Sequence, residues 1–461
     1  MTRTEHDFLG AREVPADAYW GLQALRAREN FALSGQPVPA ELLHAFGQVK
    51  KACCLANAEL GHLSPEVAAA IGQAADEVAA GRFDADLALD ALQGGAGTST
   101  NMAVNEVIAN RALELLGRAK GDYATVHPLG HVNLHQSTND TYPTALKVAA
   151  TLLLRELSQA VARLQGACQR KEQEFAEIAT VGRTELVEAV PLTLGKEFSG
   201  FAEAFARDRW RTFKCEERLR VVNLGGTAVG TGLAAPRSYI FLATEKLREI
   251  TGLGLSRGEN LVDQTANADA FVEVSGMVKA LAVNLLKVSA DLRLLHLTGE
   301  IVLPAVQPGA SIMPGKVNPV ILESAMQAGM KMTANDGIVA ECASRGSLQI
   351  NEFLPLLGFA LIESLRLGAR AAEMLARHVD GIRARPEVCA GLLDKSPMVI
   401  TAFLPLIGYE RATELLAEFA AAGRQDFRVF LGEKLGEATV AEVLAPSRLV
   451  SLGYHDHGKG A

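Results

Sequence analysis

Two runs of apolar residues repeat at heptad spacing in the middle of the chain. Leu146, Ala150, Leu153, Leu157, Ala160 and Leu164 follow steps of 4, 3, 4, 3 and 4, and Val274, Val278, Leu281, Leu285, Val288, Leu292 and Leu295 follow steps of 4, 3, 4, 3, 4 and 3. Such a seam keeps one helical face apolar for about three heptads and calls for left-handed packing against long neighbours. At 1.5 Å of rise per residue the second helix is at least ~30 Å long. Further long helical patterns lie near 196–220, 320–343 and 351–377. The expected fold class is therefore all-α, mainly helical, with a central bundle of long helices. One chain cannot cover every seam of such a bundle, so the pattern also predicts self-association.

Shorter elements flank this core. Residues 1–37 read as loop-rich, punctuated by Pro15, Gly21, Gly35 and Pro37, and a helix is expected over 40–60. Another starts at Ser64-Pro65-Glu66, where serine can cap and proline suits the first helical position, and Gly81 ends it. The glycine-rich turn Gly94-Gly95-Ala96-Gly97 then opens a helix from Thr98 to about Leu116 that carries Asn101, Asn105 and Asn110. Leu87 to Gln93, ahead of that turn, look polar and helical rather than strand-like, so a dinucleotide-binding reading is weak. Beyond about residue 390, Pro405, Gly408, Gly423 and Gly436 break the pattern into short helices. The expected division is 1–139, 140–390 and 391–461.

Composition narrows the class. The chain has 461 residues, 49% of them hydrophobic and 21% charged, with a net charge of −8. That is a globular balance with room for a large core. It carries neither the basic footprint of a nucleic-acid binder nor a polybasic membrane patch, so no partner of either kind is expected. Cys53, Cys54, Cys168, Cys215, Cys342 and Cys389 form no CxxC pair and are expected to be buried thiols of a reducing compartment rather than bridges or zinc ligands. The N-terminus lacks an apolar signal region and no run of 18 apolar residues occurs, which makes a cytoplasmic enzyme the expected class. The tail Tyr454-His455-Asp456-His457-Gly458-Lys459-Gly460 reads either as a metal-binding stretch or as a frayed terminus.

The candidate chemistry centres on Gly309-Ala310-Ser311-Ile312-Met313-Pro314-Gly315-Lys316-Val317-Asn318-Pro319. Two glycines and two prolines exclude a helix, and the loop offers backbone N–H groups, a cation and an amide to an anion; it also reads as a plain connector between helices. Three more segments are dense in hydrogen-bonding side chains: Thr98 to Asn101, Gln136-Ser137-Thr138-Asn139-Asp140, and Gly182-Arg183-Thr184-Glu185. Capping the following helix accounts for one of Ser137, Thr138 and Asn139, not for all three. Many neutral donors, one lysine and no metal-ligand spacing suit a small dicarboxylate held without a metal.

The stretches Gly94 to Ser99, Gln136 to Asp140, Gly182 to Thr184 and Ser311 to Pro319 resemble the signatures of the aspartase/fumarase superfamily, over nearly the whole chain. The stretch Asp7-Phe8-Leu9-Gly10-Ala11-Arg12-Glu13-Val14-Pro15-Ala16-Asp17-Ala18-Tyr19-Trp20-Gly21 and the C-terminal portion are more similar to its ammonia-lyase side than to its fumarase side. The resemblance implies a three-domain helical protomer, a tetrameric twenty-helix bundle, sites drawn from three subunits, and elimination to fumarate with no metal or organic cofactor in the chemical step. It further implies that Thr98, Ser137, Thr138 and Ser311 hold the carboxylate that takes up charge. Lys316 and Asn318 would bind the other carboxylate, Asn139 would lie near the leaving nitrogen, and Thr184 would complete the pocket floor.

Five residues depart from the family pattern. Ala310 stands where the family has its base serine, and alanine has no proton to exchange; an inactivating substitution and natural divergence both account for it. Glu185 follows the Gly-Arg-Thr motif where histidine or glutamine is usual. Its carboxylate either meets a cation, the ammonium of aspartate or the amine of an N-substituted aspartate, or turns to solvent or to an arginine. Leu129-Gly130 replaces the usual Asn-Asp ahead of His131-Val132-Asn133, which weakens the case for a secondary anion site, and Arg345 replaces a small or acidic residue. Two functions follow: a carbon–nitrogen lyase releasing fumarate from aspartate or an N-substituted aspartate through an aci-carboxylate, or a catalytically silent homologue that binds a dicarboxylate or scaffolds an assembly.

Overall fold

A computed structural model describes residues 1–454, so His455 and His457 of the tail lie outside the described residues. The chain divides into two compact units, Met1–Ser158 with Trp210–Ala282 and Met330–Gly368, and Gln159–Arg209 with Val283–Gly329 and Ala369–Ala461. Among the described residues helices dominate, accompanied by four two-stranded sheets. Among the described residues no single helix is long and apolar enough to cross a membrane.

The long helices stand where the heptad seams place them, at Thr138–Glu174 and Asp269–Leu297, with Leu194–Leu219, Val320–Ser344 and Leu354–Asp380 beside them in sequence order. Leu146, Ala150, Leu157, Leu164, Val274, Leu281, Leu285 and Leu292 are all 0% exposed. Only Leu295, at the end of its seam, is half-buried. In the first unit the helix starting at Leu354 comes close to its neighbours through glycines: a Cβ at Gly368 would lie 3.1 Å from both Leu157 and Met332, and one at Gly358 would lie 3.2 Å from Leu146. Pro143 sits inside the Thr138–Glu174 helix and removes the N–H that would bond the Asn139 carbonyl. That carbonyl accepts instead from Asn223 Nδ2 at 2.9 Å.

The first unit also holds the helices Ala40–Glu59, Pro65–Ala79 and Thr98–Leu115. Ser64 caps the second of these, its side chain accepting from Val67 N–H, and Pro65 opens it. Two expectations need correction. Residues 1–37 are not mainly loop: Thr2–Asp7 and Gly10–Pro15 pair antiparallel, and Leu22–Asn30 is helical. The hairpin escapes an alternation test because only Glu5 and Val14 in its strands are buried; Glu5 accepts from Leu22 N–H at 2.8 Å and ties the hairpin to the helix. Leu87 to Gln93 are turns and an isolated bridge from Asp90 to Pro37, not helix. Asp90 draws them out of helical geometry by accepting from the N–H groups of Leu33, Ser34 and Gly35.

In the second unit the hairpin Ala179–Thr184 with Val187–Thr193 packs with the short C-terminal helices around Val181, Leu393, Phe403, Leu415, Phe427 and Leu431. The breaks foreseen there are present: Pro405 starts Leu404–Ala422, Gly408 kinks it with φ +74°, Gly423 caps it in the left-handed region and Gly436 follows Phe427–Leu435. All six cysteines are free and buried.

Candidate active site

In the first unit two helix N-termini are stapled together. Gly97, in the left-handed region at φ +86°, lets its loop close on the Thr138–Glu174 helix, since a Cβ there would lie 2.2 Å from the Tyr142 ring. Asn101, one turn into its helix and buried, donates to Thr138 Oγ1 at 3.1 Å and accepts from Thr141 Oγ1 at 3.2 Å. Thr98 lies exposed at the first of these N-termini, its hydroxyl donating to Gly95 O at 2.7 Å. At the second, Ser137 Oγ accepts from Asn139 N–H at 3.2 Å, which is one cap, and Thr138 is buried beside it. Free amide groups and the partial positive charge of a helix start favour an anion at such a point. Asn139 Nδ2 donates to Ala228 O at 2.6 Å, and among the described residues its Oδ1 accepts no hydrogen bond.

Several residues that hold this corner had no role assigned from sequence. Asp140, fully buried, accepts from the N–H groups of Ser137 (3.0 Å), Gly225 (3.1 Å) and Thr227 (3.0 Å). Burial pushes its carboxyl up to about 6 against those hydrogen bonds and the pull of Lys50. The loop that reaches it, 223–235, has Gly225, Thr227, Gly230, Gly232 and Ala234 at positive φ. Its signal was glycine density beside Thr227 and Thr231. Lys50, 0% exposed on the Ala40–Glu59 helix, donates to Asn133 Oδ1 at 3.0 Å and Gln136 Oε1 at 2.9 Å. Burial pushes its ammonium down to about 7, opposed by Cys53 and Asp140.

The second unit carries the other two segments. Glu185 (φ +54°) and Leu186 (φ +65°) form the two-residue turn of the Ala179–Thr193 hairpin, a left-handed pair that usually recruits glycine or asparagine. Thr184 and Glu185 are exposed at this tip. No ion pair or hydrogen bond among the described residues reaches Glu185, so within the chain its carboxylate turns to solvent and not to an arginine. Arg183 is engaged elsewhere and donates from Nη1 to Glu300 Oε2 at 2.8 Å.

The Gly309 to Pro319 loop is irregular and closes on itself. Gly309 N–H donates to Lys316 O at 2.7 Å, Asn318 Nδ2 to Gly309 O at 2.7 Å, and Gly315 takes φ +82°. Asn318 thus has one of its two N–H bonds occupied by the loop. Ser311 and Lys316 are exposed, and no carboxylate of the described residues pairs with Lys316. Ala310 is half-buried and brings no polar group.

Two departures acquire local explanations. Arg345 pairs with Glu341 at 2.7 Å, an exposed i,i+4 contact at a helix end. At Leu129-Gly130 both N–H groups donate to His127 Nδ1, at 3.0 and 3.1 Å, so these two donors are already taken by a histidine ring.

Comparison with known proteins places the chain in a family. A family model described as a lyase matches residues 10–333. An aspartate ammonia-lyase from a Bacillus species is 42% identical over 459 residues, 98% of each chain. One from Pseudomonas aeruginosa is 45% identical over 460 residues, covering 98% of this chain and 97% of its own. A crystal structure of a fumarate lyase:delta crystallin from Brucella melitensis, bound to cobalt, superimposes with a TM-score of 0.94 at 44% identity over 98% of this chain and 100% of that one. Fold and family model together define a helical lyase. The chain belongs to the aspartase/fumarase superfamily.

Proposed function

We propose that the chain is a carbon–nitrogen lyase of the ammonia-lyase type. It eliminates ammonia or a larger amine from aspartate or an N-substituted aspartate to give fumarate, as a homotetramer whose sites combine segments of three subunits. A base takes the proton next to one carboxylate, which becomes a doubly charged aci-carboxylate. The carbon–nitrogen bond then breaks, its electrons leave with the amine, and the carbon–carbon double bond of fumarate forms. Rate depends on donors placed around that developing charge. Thr98, Ser137, Thr138 and Ser311 supply them, Lys316 and Asn318 bind the second carboxylate, and Thr184 completes the floor. No metal or organic cofactor takes part.

The observation that carries the reading is the state of Asn139. Its N–H is fixed on Ala228 O, which leaves Oδ1 as an acceptor on the helix start that carries Ser137 and Thr138 and that Asn101 ties to the helix opened by Thr98. An acceptor for an ammonium next to donors for a carboxylate matches an amino dicarboxylate, and the relatives named as aspartate ammonia-lyases point the same way. Glu185, solvent-facing within its own chain, supplies a negative charge for the amine end.

One observation favours a second reading. Ala310 stands at the base position with nothing to accept a proton, which fits a silent dicarboxylate-binding homologue or scaffold. Fumarate absorbance, followed with aspartate and N-substituted aspartates in this chain and in Ala310→Ser, separates the two. Calorimetry with fumarate tests the site itself: Lys316→Ala is expected to weaken binding by on the order of 2 to 5 kcal/mol. Lack of turnover in both chains supports the silent homologue, and an unchanged affinity in Lys316→Ala refutes the carboxylate role.

A further inference from the structure

The stripe Leu43, Phe46, Lys50, Cys53 and Asn57 recurs at steps of 3, 4, 3 and 4 along the Ala40–Glu59 helix, and all five residues are buried. A lysine and an asparagine on a core stripe are costly unless hydrogen bonds meet them. Both are met by one segment. Lys50 Nζ donates to Asn133 Oδ1 and Gln136 Oε1, Asn57 Nδ2 donates to Leu134 O at 3.1 Å, and Asn57 Oδ1 lies 2.7 Å from His135 Nδ1. Four consecutive residues, 133 to 136, are therefore held from a single helix, with His135 kept in the left-handed region at φ +62°.

The next residue is Ser137. Gln136 passes the constraint on through the chain, since its Nε2 is also anchored on Val132 O at 2.9 Å. Asn133 passes it on through hydrogen bonds: its Oδ1 also accepts from Asn101 Nδ2 at 3.2 Å and Asn105 Nδ2 at 3.1 Å, and Asn101 reaches Thr138 Oγ1. Two routes, one covalent and one hydrogen-bonded, thus run from the Lys50 ammonium to the run Ser137 to Asn139.

We propose that Lys50 is a positioning residue for substrate, a buried ammonium that sets the register of Ser137, Thr138 and Asn139 by gripping Asn133 and Gln136. This rests on the assignment of that run to carboxylate and amine recognition. A lysine that only stabilised the fold would leave the affinity of a correctly folded site unchanged.

Fumarate binding to the full-length chain, measured by calorimetry, decides between these roles in a double-mutant cycle. Lys50→Met is expected to weaken binding at least tenfold in protein whose circular dichroism and association state match the parent. In a Ser137→Ala background it is expected to weaken binding by a smaller factor than it does alone, because one of the three residues it positions has already lost its hydroxyl. Full additivity, or an unchanged dissociation constant in Lys50→Met, overturns the proposal. Should Lys50→Met fail to fold, Gln136→Met removes one of the lysine's two acceptors and is put through the same cycle, with a loss of at least threefold expected and the same two overturning outcomes. A parent chain that takes up no fumarate at millimolar concentration overturns the site assignment and this proposal together. A parent that binds and is indifferent to both variants overturns this proposal alone.

Discussion

Arg183 and Glu300 form an ion pair, 2.8 Å between Nη1 and Oε2, in which the carboxylate is wholly buried and the guanidinium is 24% exposed. Glu300 also accepts from Thr180 Oγ1 and from Thr298 Oγ1. The arginine of the Gly182-Arg183-Thr184 motif thus ties the hairpin to Glu300 one residue before the tip that carries Thr184 and Glu185. Removing one partner of a buried pair strands the other, at about 3 to 5 kcal/mol. Arg183→Ala is expected to lower stability by about 3 kcal/mol in urea denaturation and to speed amide exchange across Ala179–Thr193. Parent-like stability and exchange would remove this anchor from the account.

Legibility in the sequence followed how local each signal was. The seams through Leu146 to Leu164 and Val274 to Leu292 were readable because a helix repeats its contact face every turn, and Ser64 and Gly423 were readable because caps act within one turn. The Thr2–Pro15 hairpin was not, because a buried Glu5 rather than alternating apolar residues ties it to the helix that follows. Within the site, Thr98, Ser137 and Asn139 stood out as hydroxyl and amide runs, while Lys50 and Ala228 did not and Asp140, in the same run, carried no role. Those three act through contacts 83 to 89 residues away in sequence, which spacing alone does not reveal.

Gly97 tests the stapled helix starts. A methyl group there meets the Tyr142 ring at 2.2 Å and must also adopt φ +86°. Left-handed strain of about 1 kcal/mol and overpacking of about 1 to 3 kcal/mol add. Gly97→Ala is expected to lose about 2 to 4 kcal/mol of stability and to weaken fumarate binding by moving Thr98. A variant as stable as the parent in chemical denaturation contradicts this packing.

The buried charges set a pH dependence with opposite limbs. Lys50 is pushed down to about 7 from the ordinary 10.5, so between those values the unfolded chain holds more protons. Its contribution to stability is full above 10.5 and is lost as pH falls through 7, at up to about 1.4 kcal/mol per pH unit. Glu106 runs the other way: burial raises it to about 7 from 4.5, opposed by the N–H groups of Gln23, Ala24 and Gly21, so its contribution is full below 4.5 and is lost as pH rises through 7. Urea midpoints across pH should show Lys50→Met flattening the alkaline rise and keeping the Glu106 fall. An alkaline rise of the same slope in the variant would assign it elsewhere, with Lys147, pushed down to about 8, the next candidate.

Ala310 decides whether the site turns over. Its half-buried methyl group lies in a loop closed by Gly309, Lys316 and Asn318 through backbone and amide hydrogen bonds that do not involve its side chain. A hydroxyl added there leaves those bonds in place, so Ala310→Ser is expected to bind fumarate as the parent does. Loss of a general base typically removes ~10²- to 10⁴-fold in rate, and more where the base works with a preorganised donor set. Ser311 is a poor substitute, because the proposed role of its hydroxyl is to donate to the carboxylate that takes up charge, and redirecting it requires the backbone to rotate. Ala310→Ser is therefore expected to raise fumarate formation at least a hundredfold on the right aspartate, in kcat rather than KM. If the parent already works at an ordinary enzymatic rate and Ala310→Ser adds nothing, the base lies outside this loop, and the placement of the chemistry on Gly309 to Pro319 is wrong.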